Sequence, residues 1–203
     1  MVAIIDYDAG NIKSVENAVR FLGHEVNVTA DEKEILKADH VILPGVGAFG
    51  DAMQRLRAGG LEQTIREVAR SGRPFLGICL GLQLLFEESE ESPGVKGLCL
   101  LPGRIRRIPE GEGRKVPQIG WNDLSFPRRG RLFEGIEENS YVYFVHSYYL
   151  QAGDPRDVTA RTEYGVLIDA SVEHGNIFAC QFHPEKSERI GMQILKNFLD
   201  LQC

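Results

Sequence analysis

Cys79 has the surroundings of a reactive nucleophile. It lies between Gly77 and Gly81 in the segment FLGICLGLQLL, where an apolar run gives way to a helical pattern. A sharp turn from strand to helix can lift a side chain above a sheet, and the tight backbone of such a turn requires small neighbours. The N–H groups at the start of the next helix would also favour a thiolate. The alternative is a buried structural cysteine, which is common in protein cores.

A cysteine nucleophile needs a base, and His183 is the best placed of the five histidines. It ends an apolar run in CQFHPEKS and precedes Pro184, which favours extended backbone at the residue before it. Residues two apart in an extended segment project to the same side, so Glu185 can hold one ring nitrogen while the other faces Cys79. The sequence therefore predicts a nucleophile, a base and an orienting carboxylate. A strand-end histidine beside a solvated glutamate is the alternative for the HPE segment alone.

Backbone donors for a developing negative charge are predicted in two places. Leu80 follows the nucleophile and would offer its N–H, and the PGVG segment at 44–47 offers glycine-rich backbone at another strand end. The stretch GVGAFG at 45–50 also fits the dinucleotide-binding pattern GxGxxG. Nucleotide binding is disfavoured because this stretch does not follow the first strand, where a pyrophosphate turn normally lies. A single site with the cysteine and histidine explains the same glycines.

Strand and helix patterns alternate through the first half of the chain. The alternation predicts a three-layer, open and mostly parallel α/β sheet flanked by helices, with sites beyond the carboxyl ends of its strands. The second half is rich in β-branched and aromatic residues, which predicts additional antiparallel strands. Helices are expected at 80–89 and 190–202. Strands are expected at 2–7, 25–29, 40–45, 73–79, 103–109, 141–150, 157–173 and 176–184.

Composition narrows the class of partner and the compartment. The chain has 203 residues, a net charge of −6 and four cysteines without a CxxC pair. The acidic balance disfavours nucleic acid and anionic membranes as partners, and the cysteine spacing disfavours a zinc ribbon. The N-terminus has neither a signal-peptide pattern nor an apolar membrane span. We therefore expect a cytoplasmic protein whose residues 1–203 form a single domain.

Together, GICLGLQLL and FHPEKS resemble the triad, or class I, glutamine amidotransferases. The order of the motifs resembles one branch of this family, the glutaminase subunits of imidazole glycerol phosphate synthases. The resemblance spans nearly the whole chain. The motifs that carry it are DYDAGN, LPGVGAFGDAM, CLGLQLLFEESEE, PGVKGL, GWN, YFVHSYY and FHPEKS.

This resemblance implies that glutamine is hydrolysed to glutamate and ammonia. The ammonia would pass to a separate (β/α)8-barrel cyclase subunit in a heterodimer with one copy of each subunit. The cyclase would form imidazole glycerol phosphate and an aminoimidazole carboxamide ribotide in histidine biosynthesis. A separate synthase partner is expected because the chain has no spare length for a synthase domain. The hydrolysis needs no metal and no organic cofactor.

The resemblance also implies roles for individual residues. The three residues chosen by spacing match the catalytic triad of the family. Gln83 matches a residue that helps to hold glutamine, and Ser147 and Tyr148 match the segment that grips its α-amino and carboxylate end. The peptide near Val46 matches one that is thought to reorient on activation. The implied oxyanion set is Gly45, Val46, Gly47 and Leu80.

A further group of residues resembles the face that contacts the cyclase. Several have ordinary structural alternatives, such as a helix cap for an asparagine or a core position for an aromatic ring. Two departures from the family pattern, Asp8 in place of glycine and Gln118 in place of histidine, are expected in partner-facing loops. The residues implied for the interface are Asn11, Trp121, Asn122, Tyr143 and Lys186.

Three other functions fit part of the pattern. A glutaminase of the pyridoxal-phosphate pathway is disfavoured by PGVGAFGDAM and YFVHSYY. A non-catalytic relative is disfavoured because Cys79, His183 and Glu185 are all present. The third is a cysteine peptidase on a similar fold. Rapid loss of glutaminase activity on treatment with a glutamine-like alkylating agent, without peptide cleavage, would exclude both the non-catalytic relative and the peptidase.

Overall fold

A computed structural model describes residues 1–8, 12–111 and 113–202. Strands are followed by helices up to residue 84, with two consecutive helices between the third and fourth strands, and most of the remaining elements are strands. The helices are α1 (Ile12–Phe21), α2 (Glu32–Lys37), α3 (Phe49–Ala58), α4 (Leu61–Arg70), α5 (Leu80–Leu84) and α6 (Glu188–Leu199). The strands are β1 (Val2–Ile5), β2 (Val26–Thr29), β3 (His40–Leu43), β4 (Phe75–Ile78), β5 (Glu88–Ser89), β6 (Gly103–Arg107), β7 (Gln118–Asp123), β8 (Tyr141–His146), β9 (Tyr148–Ala152), β10 (Val158–Glu163), β11 (Leu167–His174) and β12 (Ile177–Cys180).

The central sheet has seven strands in the order β10-β11-β12-β4-β3-β1-β2. Strands β2, β1, β3, β4 and β12 run parallel, and β11 and β10 extend the sheet in antiparallel fashion. Smaller sheets form from β5, β6 and β9 and from the hairpin β7–β8. The predicted mostly parallel sheet with added antiparallel strands is confirmed. No helix in the described part of the chain combines the length and apolar character needed to cross a membrane.

Alternate residues of the buried strands face two separate cores. Ala3 and Ile5 pack with α2, α3 and α4, whereas Val2 and Ile4 pack with α1 and α6. This period-two pattern explains why the central strands are apolar on both faces. The small sheet β5-β6-β9 covers the first core, and the hairpin β7–β8 covers the second. The central sheet is therefore the middle layer of three.

The helix expected at 80–89 is shorter than predicted. Helix α5 ends at Leu84, and β5 then pairs in parallel with β6. The carbonyls of Leu84 and Leu85 accept hydrogen bonds from Leu98 and Leu100 instead of continuing the helix. The segment expected as one strand at 141–150 is divided at Ser147 into β8 and β9, which belong to different sheets. Both differences arise from tertiary backbone pairing that local patterns do not reveal.

Replacement of Gly81 by alanine should destabilise the protein strongly. A Cβ at this position would overlap the Leu43 carbonyl, which is backbone and has little freedom to move. We expect a loss of about 3 kcal/mol in the free energy of unfolding, measured by urea denaturation. Gly59→Ala is the matched control, because φ is −81° there and the nearest atom would be 3.4 Å away. Equal stability of Gly81→Ala and Gly59→Ala would contradict the packing argument.

Candidate active site

Cys79 forms a sharp turn at the carboxyl end of β4. Its φ of 55° and ψ of −110° lie outside the regions that side-chain-bearing residues usually adopt, and α5 starts at the next residue. The Cys79 N–H donates to the Cys180 carbonyl at 2.8 Å, which ties the turn to β12. A Cβ at Gly77 would lie 2.8 Å from the Gly81 carbonyl, so this turn has no room for larger residues. The strained backbone places the sulfur in a cavity above the sheet.

His183 and Glu185 form a buried pair. The His183 Nδ1 and Glu185 Oε1 atoms are 2.8 Å apart, and both side chains are almost fully buried. His183 has the extended backbone expected before proline, but the extended course does not continue to Glu185, because Pro184–Lys186 form a turn of 3-10 helix. Proline is favoured at the start of such a turn, where its missing N–H is not needed. The Ser187 hydroxyl fixes the turn by donating to the His183 carbonyl at 2.7 Å.

The environment of His183 favours its protonated form. Burial alone would lower the pKa of His183, but the Cys79 and Glu185 side chains raise it from 6.5 to about 9. The Nε2 atom is buried and has no hydrogen-bond partner among the described residues. The ring is therefore held at Nδ1 by a carboxylate, while Nε2 remains available for a reacting group.

A cavity of about 370 Å³ brings most of the predicted site residues together. Gly45 and Glu185 lie behind its wall, where Gly45 packs against Tyr7 and Leu80. Glu91, Val145 and His146 also line the cavity, although sequence patterns did not single them out. The predicted residues that line it are Val46, Gly47, Cys79, Leu80, Gln83, Ser147, Tyr148, His183 and Lys186.

Several polar groups around the cavity are available to a ligand. The backbone N–H groups of Val46, Gly47 and Leu80 donate to no acceptor within residues 1–8, 12–111 and 113–202. The Gln83 amide nitrogen donates to the Tyr148 carbonyl, and its Oε1 accepts from none of the described residues. These groups can bind a substrate oxygen or a substrate N–H without breaking an existing hydrogen bond.

Glu91 was hidden from sequence analysis within the acidic run FEESEE. Its carboxylate accepts from the Phe49 N–H at 2.8 Å and thereby caps the start of α3 while it lines the cavity. The adjacent Ser92 hydroxyl accepts from the Gly50 N–H at 3.0 Å. A glutamate in a solvated acidic run gives no signal of this position, because the fold alone brings residue 91 to the site.

His146 is a second buried histidine beside the first. Its Nδ1 lies 2.8 Å from the Tyr148 carbonyl, which can only accept, so Nδ1 carries the hydrogen. Burial lowers the pKa of His146 to about 4, and the charge of His183 contributes to the lowering. His146 is therefore neutral near neutral pH, whereas His183 is protonated.

The predicted interface residues are partly clustered. The rings of Trp121 and Tyr143 meet edge to face with centroids 6.0 Å apart, and Lys186 Nζ lies 5.9 Å from the Tyr143 ring centre. Trp121 and the neighbouring Ile119 remain exposed. Asn122 instead donates to the Glu163 carbonyl at 2.9 Å. The exposed Ile119 and Trp121 and the half-buried Tyr143 and Lys186 form what we call the exposed aromatic surface. It adjoins the cavity at Lys186.

The remaining sequence expectations concern three positions. Asn11 lies outside the described residues. Asp8 is exposed and has a φ of 59°, a conformation that explains why glycine suits this position. The expectation that Gln118 lies in a partner-facing loop is wrong, because Gln118 is buried in β7 directly opposite His146.

Tyr7 holds the segment that follows β3. Its buried hydroxyl donates to the Pro44 carbonyl at 2.9 Å. Burial and the neighbouring Cys79 raise the pKa of Tyr7 well above its usual range, so the hydroxyl stays protonated and can donate. The bond fixes the peptide that precedes Gly45 and thus the course of the glycine-rich segment along the cavity.

Comparison with known proteins identifies a family and a fold. Residues 3–201 match the family model described as glutamine amidotransferase class-I. The chain is 55% identical to the imidazole glycerol phosphate synthase subunit HisH of Moorella thermoacetica, over 98% of this chain and 94% of that protein. It is 51% identical to the subunit of the same name from Methanothermobacter thermautotrophicus, over 99% and 98% of the two chains.

Two solved structures share the fold at low sequence identity. A crystal structure of a glutamine amidotransferase aligns with a TM-score of 0.77 at 23% identity and covers 98% of each chain. The structure of PurLQS from Thermotoga maritima aligns with a TM-score of 0.72 at 20% identity, over 98% of this chain and 97% of that chain. These alignments support the arrangement of the sheet and helices.

The Tyr7→Phe variant should lose stability through one buried hydrogen bond. Removal of the hydroxyl leaves the Pro44 carbonyl without its partner, which typically costs about 1–3 kcal/mol. Urea denaturation of Tyr7→Phe and Tyr141→Phe tests this, since Tyr141 is more than half exposed and its hydroxyl bonds to none of the described residues. A loss in Tyr7→Phe no larger than that in Tyr141→Phe would show that the bond contributes little.

The contribution of His183 to stability should depend on pH in a defined direction. The folded protein binds the His183 proton more tightly than the unfolded chain, because the pKa rises from 6.5 to about 9 on folding. The stabilisation is therefore complete below pH 6.5 and is lost as pH rises through about 9. We expect the difference in unfolding free energy between wild type and His183→Gln to be larger at pH 6 than at about pH 9.5. A difference that stays constant or grows with pH would be inconsistent with a stabilised imidazolium.

Proposed function

The chain belongs to the class I glutamine amidotransferase family, and from this premise we propose that it is the glutaminase subunit of an imidazole glycerol phosphate synthase. It hydrolyses L-glutamine to glutamate and ammonia in histidine biosynthesis. The observation that carries the proposal is the cavity in which Cys79 and His183 meet, with the Glu185 carboxylate bonded to the far side of the ring. The identity of about 50% over nearly the full length supports the specific reaction.

Three side chains carry the chemistry in this proposal. The Cys79 sulfur attacks the side-chain carbonyl carbon of glutamine and forms a tetrahedral adduct. The protonated His183 gives its Nε2 proton to the departing nitrogen, so ammonia leaves and a thioester remains. Water then attacks the thioester while His183 accepts one of its protons. Cleavage of the C–S bond releases glutamate, whose carboxyl proton passes to solvent, and restores the Cys79 thiolate beside the protonated His183. Glu185 keeps the ring oriented and stabilises its charge through Nδ1.

The adduct oxygen needs donors that are in place before reaction. Leu80, Val46 and Gly47 line the cavity, and their backbone N–H groups have no acceptor among the described residues. Loss of one such donor typically reduces turnover by about 10² to 10³. Gly45 serves in packing rather than at the cavity wall, since its Cβ position would be 2.5 Å from the Tyr7 hydroxyl.

Other residues that line the cavity suit the amino-acid head of glutamine. The Glu91 carboxylate can pair with the α-ammonium group, and the Ser147 hydroxyl bonds to none of the described residues and can donate to the α-carboxylate. Gln83 Oε1 and the backbone near Tyr148 complete this group. Hydrogen-bonding groups for both the amide and the head of glutamine give selectivity for a substrate that carries an amide and an α-amino acid group.

The exposed aromatic surface is proposed to bind a (β/α)8-barrel cyclase subunit in a heterodimer with one copy of each subunit. Ammonia must reach a second site before water protonates it, so the surface has to lie near the cavity. Lys186 belongs to both, since it lines the cavity and lies over the Tyr143 ring. We also propose a single amidotransferase domain over residues 1–203 and a cytoplasmic location, where the free thiols of Cys79, Cys99 and Cys180 would remain reduced.

Replacement of Cys79 by alanine separates the two half-reactions. With a cyclase subunit present, Cys79→Ala should form no product from glutamine, because the sulfur that attacks the amide is absent. Added ammonium salt should restore product formation, because the cyclase needs only ammonia. Product formation is followed by absorbance, with Cys99→Ala, which removes an exposed thiol, as the control. Full glutamine-dependent turnover by Cys79→Ala would refute the site assignment.

A further inference from the structure

A buried amide lies directly behind the nucleophile. Gln181 follows β12, is completely buried, and directs its Nε2 toward the Cys79 sulfur at 3.7 Å. Its Oε1 accepts from the Gln83 amide nitrogen at 3.0 Å. Its backbone N–H donates to the Ala170 carbonyl at 2.8 Å, which anchors the residue to β11. One side chain thus connects the nucleophile to a residue of the substrate cavity.

The direction of this chain of hydrogen bonds is set by a backbone carbonyl. The Tyr148 carbonyl can only accept, so the Gln83 group that contacts it at 3.0 Å must be the nitrogen. The second hydrogen of that nitrogen requires an acceptor, so Gln181 presents its oxygen to Gln83. The remaining end of the Gln181 amide is then its nitrogen, which carries an N–H to the sulfur. A reversed Gln181 amide would place two donors against each other in a buried site.

The same network leaves the Gln83 oxygen free for substrate. Both hydrogens of the Gln83 nitrogen are used, so its Oε1 is the atom that can accept from substrate. An N–H directed at the sulfur stabilises negative charge there and restricts the rotation of the Cys79 side chain. Neither effect needs Gln181 to touch substrate.

We propose that Gln181 is a positioning residue for glutamine hydrolysis, which holds the Cys79 sulfur through its N–H and orients the Gln83 oxygen toward substrate through its own oxygen. The inference rests on the proposed function, because it assigns Gln181 to the reaction of Cys79 with glutamine. The two halves of one amide act on different steps. The sulfur contact affects the attack, and the Gln83 contact affects substrate binding.

The test compares Gln181→Met with Ser171→Ala. Methionine has a similar size but offers neither donor nor acceptor of comparable strength. Ser171 is also completely buried, and its hydroxyl donates to the Ala179 carbonyl and accepts from Thr159, with no contact to the site. Thermal unfolding records the structural cost of each change. Alkylation by iodoacetamide across pH reports on the sulfur, and glutamine kinetics in the complex with the cyclase report KM and kcat.

Gln181→Met should be alkylated about tenfold more slowly at neutral pH, the size expected for one hydrogen bond to a charged group, and the deficit should disappear at high pH. KM for glutamine should rise and kcat should fall. Gln83→Met should raise KM with little effect on alkylation, and the double variant should lose less than the product of the two single losses. Ser171→Ala should keep the alkylation rate and the kinetic constants of the wild type, even if its unfolding temperature falls as much as that of Gln181→Met.

Two results would overturn the inference. The first is that Gln181→Met has the same alkylation profile and the same KM for glutamine as Ser171→Ala. Gln181 would then have a structural role only. If Gln181→Met does not fold, Gln181→Glu keeps the shape and an acceptor for Gln83. Above about pH 8, where its carboxylate is ionised, this variant must then be alkylated more slowly than wild type. Wild-type alkylation by Gln181→Glu is the second contrary result. Failure of the proposed function is distinct, because it would appear as glutamine turnover by Cys79→Ala whatever Gln181 does.

Discussion

The positive φ of Cys79 is the constraint on which the site depends. A φ of 55° at a residue with a side chain costs about 1–3 kcal/mol, and it persists where the surrounding structure fixes it. Here the Cys79 N–H is bonded to β12 and Gly81 packs on the carbonyl of Leu43 in β3. The neighbours of β4 on both sides thus hold the turn. Because the sheet order is β12-β4-β3, their carboxyl ends deliver His183 and the segment 44–47 to the same place.

Of the two buried histidines in the site, one is protonated and the other neutral, because their partners differ. A carboxylate and the nucleophile surround His183 and raise its pKa to about 9, whereas His146 has a single carbonyl partner and a pKa lowered to about 4. The charge of His183 contributes to keeping His146 neutral. Because the two pKa values are far apart, His183 can transfer a proton while His146 stays neutral. The neutral His146 ring has one N–H donor, at Nδ1, and this donor holds the Tyr148 carbonyl.

The sequence predicted the parts of the site that follow from local turns. The glycines around Cys79, the proline after His183 and the alternation of strand and helix are local signals, and they led to the sheet and to the cysteine, histidine and glutamate. Glu91, His146 and Gln181 could not be found this way, because their roles come from contacts between segments that are distant in sequence. Gln118 was misplaced for the same reason. A strand position is buried or exposed according to which sheet it joins, and among the strands of the described residues β7 pairs with β8 alone.

The exposed aromatic surface and the catalytic base are joined through one residue. The Tyr143 ring meets Trp121 and lies under Lys186, while the Tyr143 carbonyl accepts from the His183 N–H at 2.9 Å. The Tyr143 N–H in turn donates to the Ser187 hydroxyl, which donates to the His183 carbonyl. A partner that covers this ring therefore restrains the backbone on both sides of His183. Under the proposed assembly, docking acts on the base through three short hydrogen bonds, and no displacement has to pass through the core.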